Sequence, residues 1–117
     1  APNIKFDCVQ PYYADADYID ALVASAQPYL QKPYDHLLFS YHGIPVRHLT
    51  KGDSSRVHCQ MVADCCNTCS PAHATCYKAQ VTRTSQLFAQ RAGLDPAKWS
   101  ISFQSRLVGE PWLSPYT

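Results

Sequence analysis

His36-Leu37-Leu38-Phe39-Ser40-Tyr41 is a nearly continuous apolar run, and His42-Gly43-Ile44-Pro45 brings it to a stop. A strand buried on both faces reads this way, as the inner strands of a parallel sheet do. A polar stretch follows through Ser55, with Gly52-Asp53 as a turn signal. Upstream, Ile19, Leu22, Val23, Ala26 and Leu30 keep helical spacing on one face. Asp15 or Asp17 can cap the start of that helix, and Pro33 ends it. Earlier still, Asn3 to Val9 reads as a short strand, with Ile4, Phe6 and Cys8 alternating against Lys5 and Asp7. Gln10 to Tyr13 follows as a loop. Downstream, Tyr77 to Ala92 reads as a second helix with Val81, Thr84, Phe88 and Ala92 on one face, stopped by Gly93 and then Pro96. Trp99, Ile101 and Phe103 alternate as a third strand.

The order β-α-β-α-β predicts an α/β fold, a parallel sheet with flanking helices and right-handed crossovers. In such sheets ligands bind beyond the carboxyl ends of the strands. Three loops are expected there: Gln10 to Tyr13, His42 to Arg47 and Gln104 to Trp112. Trp112 to Thr117 reads as the lead-in to a further helix, so the pattern describes an incomplete Rossmann-like domain. The start at Ala1 rather than Met adds to the expectation of an excised piece.

At 117 residues and 46% apolar, the chain suits one domain with a small core. The formal charge is +1, from 10 basic and 9 acidic residues without a run of like sign. That balance argues against a nucleic-acid partner. No apolar stretch approaches the ~20 residues that span a bilayer, which leaves peripheral membrane contact as the remaining membrane role. Nothing in the pattern sets an oligomeric state.

Five of the six cysteines, Cys59, Cys65, Cys66, Cys69 and Cys76, fall within 18 residues, and Cys8 stands alone in the first strand. A disulfide scaffold spreads its cysteines to staple distant elements, so this clustering reads as a metal site in a reducing compartment. Spacing alone favours Cys66, Cys69 and Cys76, because Cys66-x-x-Cys69 is a common ligand spacing. Adjacent Cys65 and Cys66 share a cluster only through an unusual backbone bend. His58 and His73 lie in the same segment and make a zinc site, Cys₃His or Cys₄, the main rival to an iron–sulfur cluster.

Leu38-Phe39-Ser40-Tyr41-His42-Gly43-Ile44-Pro45 resembles the ferrochelatase signature Ser-x-His-[Gly/Ser]-[Ile/Leu]-Pro, and Gly52-Asp53 sits where that family places a Gly-Asp pair. Phe103-Gln104-Ser105-Arg106, then Gly109 and Pro111-Trp112-Leu113-Ser114-Pro115-Tyr116-Thr117, resembles its second signature. The resemblance implies a partial C-terminal domain of a two-domain chelatase, residues 1–117, with a cysteine insertion at about 57–77. It implies an enzyme that inserts ferrous iron into protoporphyrin IX to form protoheme, in the bacterial cytoplasm. The first domain and the family's active-site glutamate would lie outside this stretch, so the piece alone would be inactive. The family's histidine falls on His42, as acceptor of pyrrole protons or handler of incoming iron; the plainer alternative is a loop hydrogen bond. Trp112 falls on a tryptophan that lines the porphyrin cleft, and Arg106 would pair with a propionate or brace its loop. The His58-Cys59, Cys65-Cys66 and Cys76-Tyr77 pairs resemble a bacterial subgroup in which four internal cysteines bind a 2Fe–2S cluster. That resemblance assigns Cys59, Cys65, Cys66 and Cys76 as ligands and leaves Cys69 as the alternate.

Two other readings compete. A related chelatase would insert cobalt or nickel into another tetrapyrrole, against which the Gln-Ser-Arg and Trp-Leu-x-Pro-Tyr-Thr strings speak. A non-catalytic iron–sulfur or zinc module for sensing or electron transfer would leave the His42 motif without a purpose.

Overall fold

The computed structural model describes residues 2–117. Its elements are α1 (Ala16–Leu30), β1 (Leu37–His42), α2 (Val46–Gly52), α3 (Tyr77–Ala92) and β2 (Trp99–Gln104), with single 3₁₀ turns at Pro71–Ala74 and Pro96–Lys98. Local chemistry sets the helix ends. Asp15 caps α1 by accepting a hydrogen bond from the Tyr18 amide at 3.1 Å. Gly93 ends α3 in the left-handed conformation at φ 66°.

β1 and β2 pair in parallel, in a register that runs from Leu37 opposite Trp99 to His42 opposite Gln104. Helices α1 and α3 meet over Phe39, whose ring stands edge-on to Phe88 at 5.2 Å and to Trp99 at 5.6 Å. Ile19, Val23 and Phe88 form the buried centre of that packing. A second buried cluster lies at the other end. It joins Leu49, Phe103 and Leu113 to Cys59, Ala72, Cys76, Ala79 and Val81. The two clusters together position the carboxyl ends of both strands.

The mixed α/β architecture with a parallel sheet is the one expected, and four elements fall within a residue or two of their predicted bounds. Three details differ. Residues 4–10 form no strand, and Ile4, Phe6 and Val9 are exposed along with Cys8. Alternation suits a strand only where a neighbouring edge takes up its amides and carbonyls, and this stretch lies off the two-stranded sheet. Nor is β1 buried on both faces: its residues alternate half-buried and exposed, with Leu38 at 48%. The helices cover only the face that carries Leu37, Phe39 and Tyr41. Finally, α2 occupies part of the stretch read as an irregular polar loop. It is a short helix with one buried residue, Leu49, and no side-chain cap at its start, so it leaves almost no pattern in the sequence.

Candidate active site and cysteine segment

His42 is the last residue of β1, and its side chain is exposed at the carboxyl end of the sheet. Its Nδ1 lies 2.7 Å from the Gly43 carbonyl oxygen. A carbonyl only accepts, so Nδ1 carries the proton and neutral His42 keeps its lone pair on Nε2. The Tyr77 hydroxyl donates to the His42 carbonyl at 3.0 Å, which ties the start of α3 to the end of β1.

The next residues lock two loops together. The Gly43 amide donates to the Gln104 carbonyl at 2.7 Å, the Val46 amide to Pro111 at 3.0 Å, and the Leu113 amide to Ile44 at 3.0 Å. Pro45 and Trp112 form an antiparallel bridge. A methyl group at Gly43 would sit 2.8 Å from the Ser105 carbonyl and 3.5 Å from the Trp112 ring. Only glycine allows this approach. Ser105 turns the chain away from β2 with φ 66°. Trp112 is half-buried, and its Nε1 is covered without a hydrogen-bond partner. Arg106 is exposed, its guanidinium 4.2 Å from the centre of the Tyr116 ring. Its only ring or ion contact among the described residues is therefore aromatic, while Arg47 pairs with Glu110. His42 and Trp112 thus share one end of the sheet through adjoining loops, and Arg106 sits on the same connection. The Gln10–Tyr13 loop does not join them as a strand end. Tyr13 instead lines a small cavity of about 200 Å³ with Cys66, His73 and Arg83.

The cysteine segment is built differently. Buried Asp53 closes α2, and its carboxylate accepts four hydrogen bonds, from the Ser55 amide and hydroxyl and from the His58 and Cys59 amides. These bonds, that from Cys59 foremost, hold the carboxyl far below the ordinary carboxylate range. All six cysteines are free thiols. Cys59 and Cys76 are buried, Cys65 and Cys66 half-buried, and Cys69 and Cys8 exposed. Burial pushes the Cys59 thiol up to about 12, with the hydrogen-bonded Cys76 thiol and nearby Asp53 and Cys65 adding to the effect. Burial likewise raises Cys66 to about 11, with Cys65 and Cys76 close by and Lys78 opposing. Cys65 and Cys76 thus lie near enough to influence both raised thiols. Among the described residues, no three His, Cys, Asp or Glu side chains surround a single ion-sized point.

The ferrochelatase family model matches residues 1–117. The chain belongs to the ferrochelatase family. It is 65% identical over its whole length to a ferrochelatase of Opitutus terrae. It is 54% identical over 98% of its length to one of Pseudomonas fluorescens. A ferrochelatase of Azotobacter vinelandii is 51% identical over the same share. The chain spans about a third of the length of these curated relatives, 34% in each case. No helix among the described residues is long and apolar enough to cross a membrane.

Within this ferrochelatase chain the resemblance marks His42, Trp112 and Arg106, while the contacts that support them become visible only in the structure. Gly43 and Asp53 belong to the strings that carry the resemblance, yet the close approach at Gly43 and the four-donor cradle at Asp53 leave no signal in spacing. The Tyr77 hydroxyl had no sequence signal, because its partner is a backbone carbonyl 35 residues away.

Proposed function

We propose that this chain carries the metal-inserting half-site of an enzyme that places ferrous iron in protoporphyrin IX to form protoheme. The observation that carries the reading is the Nδ1–H bond from His42 to the Gly43 carbonyl, 2.7 Å long. It leaves the Nε2 lone pair as the exposed end of the imidazole. Metalation of a porphyrin releases two pyrrole N–H protons, so a neutral base poised at the cleft serves the reaction directly. Under the alternative of iron handling, the same lone pair faces the incoming metal. The half-buried Trp112 indole offers a flat apolar edge beside that base, and the exposed Arg106 offers a charge for a propionate. The first domain of the full-length enzyme would close the cleft from the other side. The cytoplasm of a bacterium suits both the free thiols and this reaction.

For the cysteine segment the proposed resident group is a 2Fe–2S cluster on Cys59, Cys65, Cys66 and Cys76. The donor set fits in number and kind: two irons take two thiolates each, and the four thiols of lower exposure are Cys59, Cys65, Cys66 and Cys76. Cys69 is exposed and is left outside. When bound, the cluster supplies a cross-link between the two ends of a segment with little regular structure.

The test is made on the full-length enzyme. His42→Ala is expected to cut the rate of iron insertion by ~10² or more, in line with loss of a positioned proton-transfer group, while porphyrin binding persists. Wild-type rate in that variant would defeat the reading. Iron and acid-labile sulfide are expected to fall in Cys59→Ser and to stay in Cys69→Ser.

A further inference from the structure

Cys65 and Cys66 are adjacent, and adjacent residues direct their side chains apart unless the backbone is held in a special bend. The structure holds one there. Asp64 is in the left-handed region at φ 51°. The turn's own amides pass Cys65 by: Asn67 and Thr68 both donate to the Asp64 carbonyl, at 3.0 Å each. Among the described residues no backbone amide reaches the Cys65 carbonyl. Two imidazoles take its place. His58 Nε2 and His73 Nε2 each lie 2.7 Å from the Cys65 oxygen, their rings edge-on with centres 5.4 Å apart.

Both histidines are themselves fixed. The buried His58 donates its amide to Asp53 at 3.0 Å, and its carbonyl accepts from Met61 and Val62. His73 belongs to the 3₁₀ turn Pro71–Ala74, which Ser70 caps. The Gln80 side chain of α3 donates to the Ala74 carbonyl at 3.0 Å and to that of His73 at 3.4 Å. One clamp arm thus hangs from the Asp53 turn and the other from the start of α3. The carbonyl they share belongs to the peptide that joins Cys65 to Cys66.

We propose that His58 and His73 are positioning residues that clamp the Cys65 carbonyl and so set the direction of the Cys65 and Cys66 thiols before any metal arrives. The toll of bending the chain at adjacent ligands is then met during folding. On this view each imidazole acts through its Nε2–H as a donor to backbone, and Nδ1 takes no part in the clamp. A carbonyl has two lone pairs, and the pair of histidines fills both. That the thiols so directed receive a 2Fe–2S cluster rests on the reading above.

The experiment compares His73→Leu with His73→Gln in the full-length enzyme. The glutamine amide nitrogen can occupy the place of Nε2 and donate to the same carbonyl, whereas leucine fills space without donating. Two readouts are taken. The first is the alkylation rate of Cys65 and Cys66 by iodoacetamide in chelator-treated protein, mapped by mass spectrometry with exposed Cys69 as internal reference. Leucine is expected to raise that rate roughly fivefold, the loss of one hydrogen bond, and glutamine to restore it. The second is the bleaching rate of the visible cluster bands under chelator, with the same order of variants. His58→Gln, which keeps the donor of the buried arm, should match wild type in both.

Equal labelling in the leucine variant and the wild type would overturn the clamp. So would a glutamine variant as impaired as leucine, which would give His73 a ligand's or a packing role instead. A wild-type protein without iron and sulfide that still shows the predicted labelling pattern would uphold the clamp and remove the cluster reading alone.

Discussion

The two ends of this small fold carry chemistry on different kinds of support. At the sheet end, His42 and Trp112 are placed by backbone: three amide–carbonyl bonds and one β-bridge join their loops, and a glycine lets them approach. In the cysteine segment the placement falls to side chains. Asp53 gathers four donors, and two histidines share one carbonyl. Backbone support is generic in its partners and tolerates change wherever a side chain is not in the way, as at Gly43 it would be. Side-chain support depends on each residue by name, and it leaves buried thiols that a metal can recruit.

The largest expected effect falls on the contact that joins the two loops. Gly43→Ala places a methyl 2.8 Å from the Ser105 carbonyl, a backbone atom with little freedom to yield. It should cost about 1–3 kcal/mol in denaturant unfolding, as overpacking does, and lower the insertion rate because His42 is the preceding residue. An unchanged unfolding midpoint would mean that the two loops are not locked. A smaller effect is expected within the sheet end itself. Tyr41 is partly buried, its hydroxyl 2.7 Å from Ser85, which also donates to the Val81 carbonyl at 3.0 Å. Burial raises the Tyr41 phenol above its ordinary value, so it stays a neutral donor. Tyr41→Phe should cost about 1 kcal/mol and leave iron and sulfide content unchanged, which would sharpen the separation of the two regions.

The smallest effect belongs to a pair outside both. Asp20 on α1 and Arg91 on α3 meet on the open surface, and the Arg91 hydrogen bond holds the Asp20 carboxyl below its ordinary value. A carboxyl lowered in the folded state adds stability above the ordinary range near ~4 and loses it as pH falls through the folded value. Asp20→Asn should thus differ from wild type slightly and by the same amount from neutral pH down to that range, with the difference fading only in stronger acid. Exposed pairs contribute little, so unfolding curves at neutral pH should nearly coincide.

The same contrast explains what the sequence made legible. α1, α3 and β2 announce themselves because each repeats a period and β1 because it is an apolar run, and His42 stands where that run ends. The apolar alternation of Ile4, Phe6 and Cys8 failed as a strand because alternation describes a surface and not the neighbour that must pair with it. Cys69 shows another limit: its spacing to Cys66 is a ligand's spacing, and spacing does not tell that it is exposed while Cys59 and Cys76 are buried. The Asp53 cradle and the histidine clamp depend on which atoms meet after folding, and no period carries that information.

Amide hydrogen exchange on the full-length enzyme, with and without chelator, tests the division directly. The Gly43, Val46 and Leu113 amides, each bonded to a backbone carbonyl, should exchange equally slowly in both conditions. If the proposed cluster is present, the Met61, Val62, Asn67 and Thr68 amides should exchange faster under chelator, since their turns sit in the segment that it would tie. Exchange that accelerates together in both groups would contradict two separately supported sites and make the fold one cooperative unit around the metal.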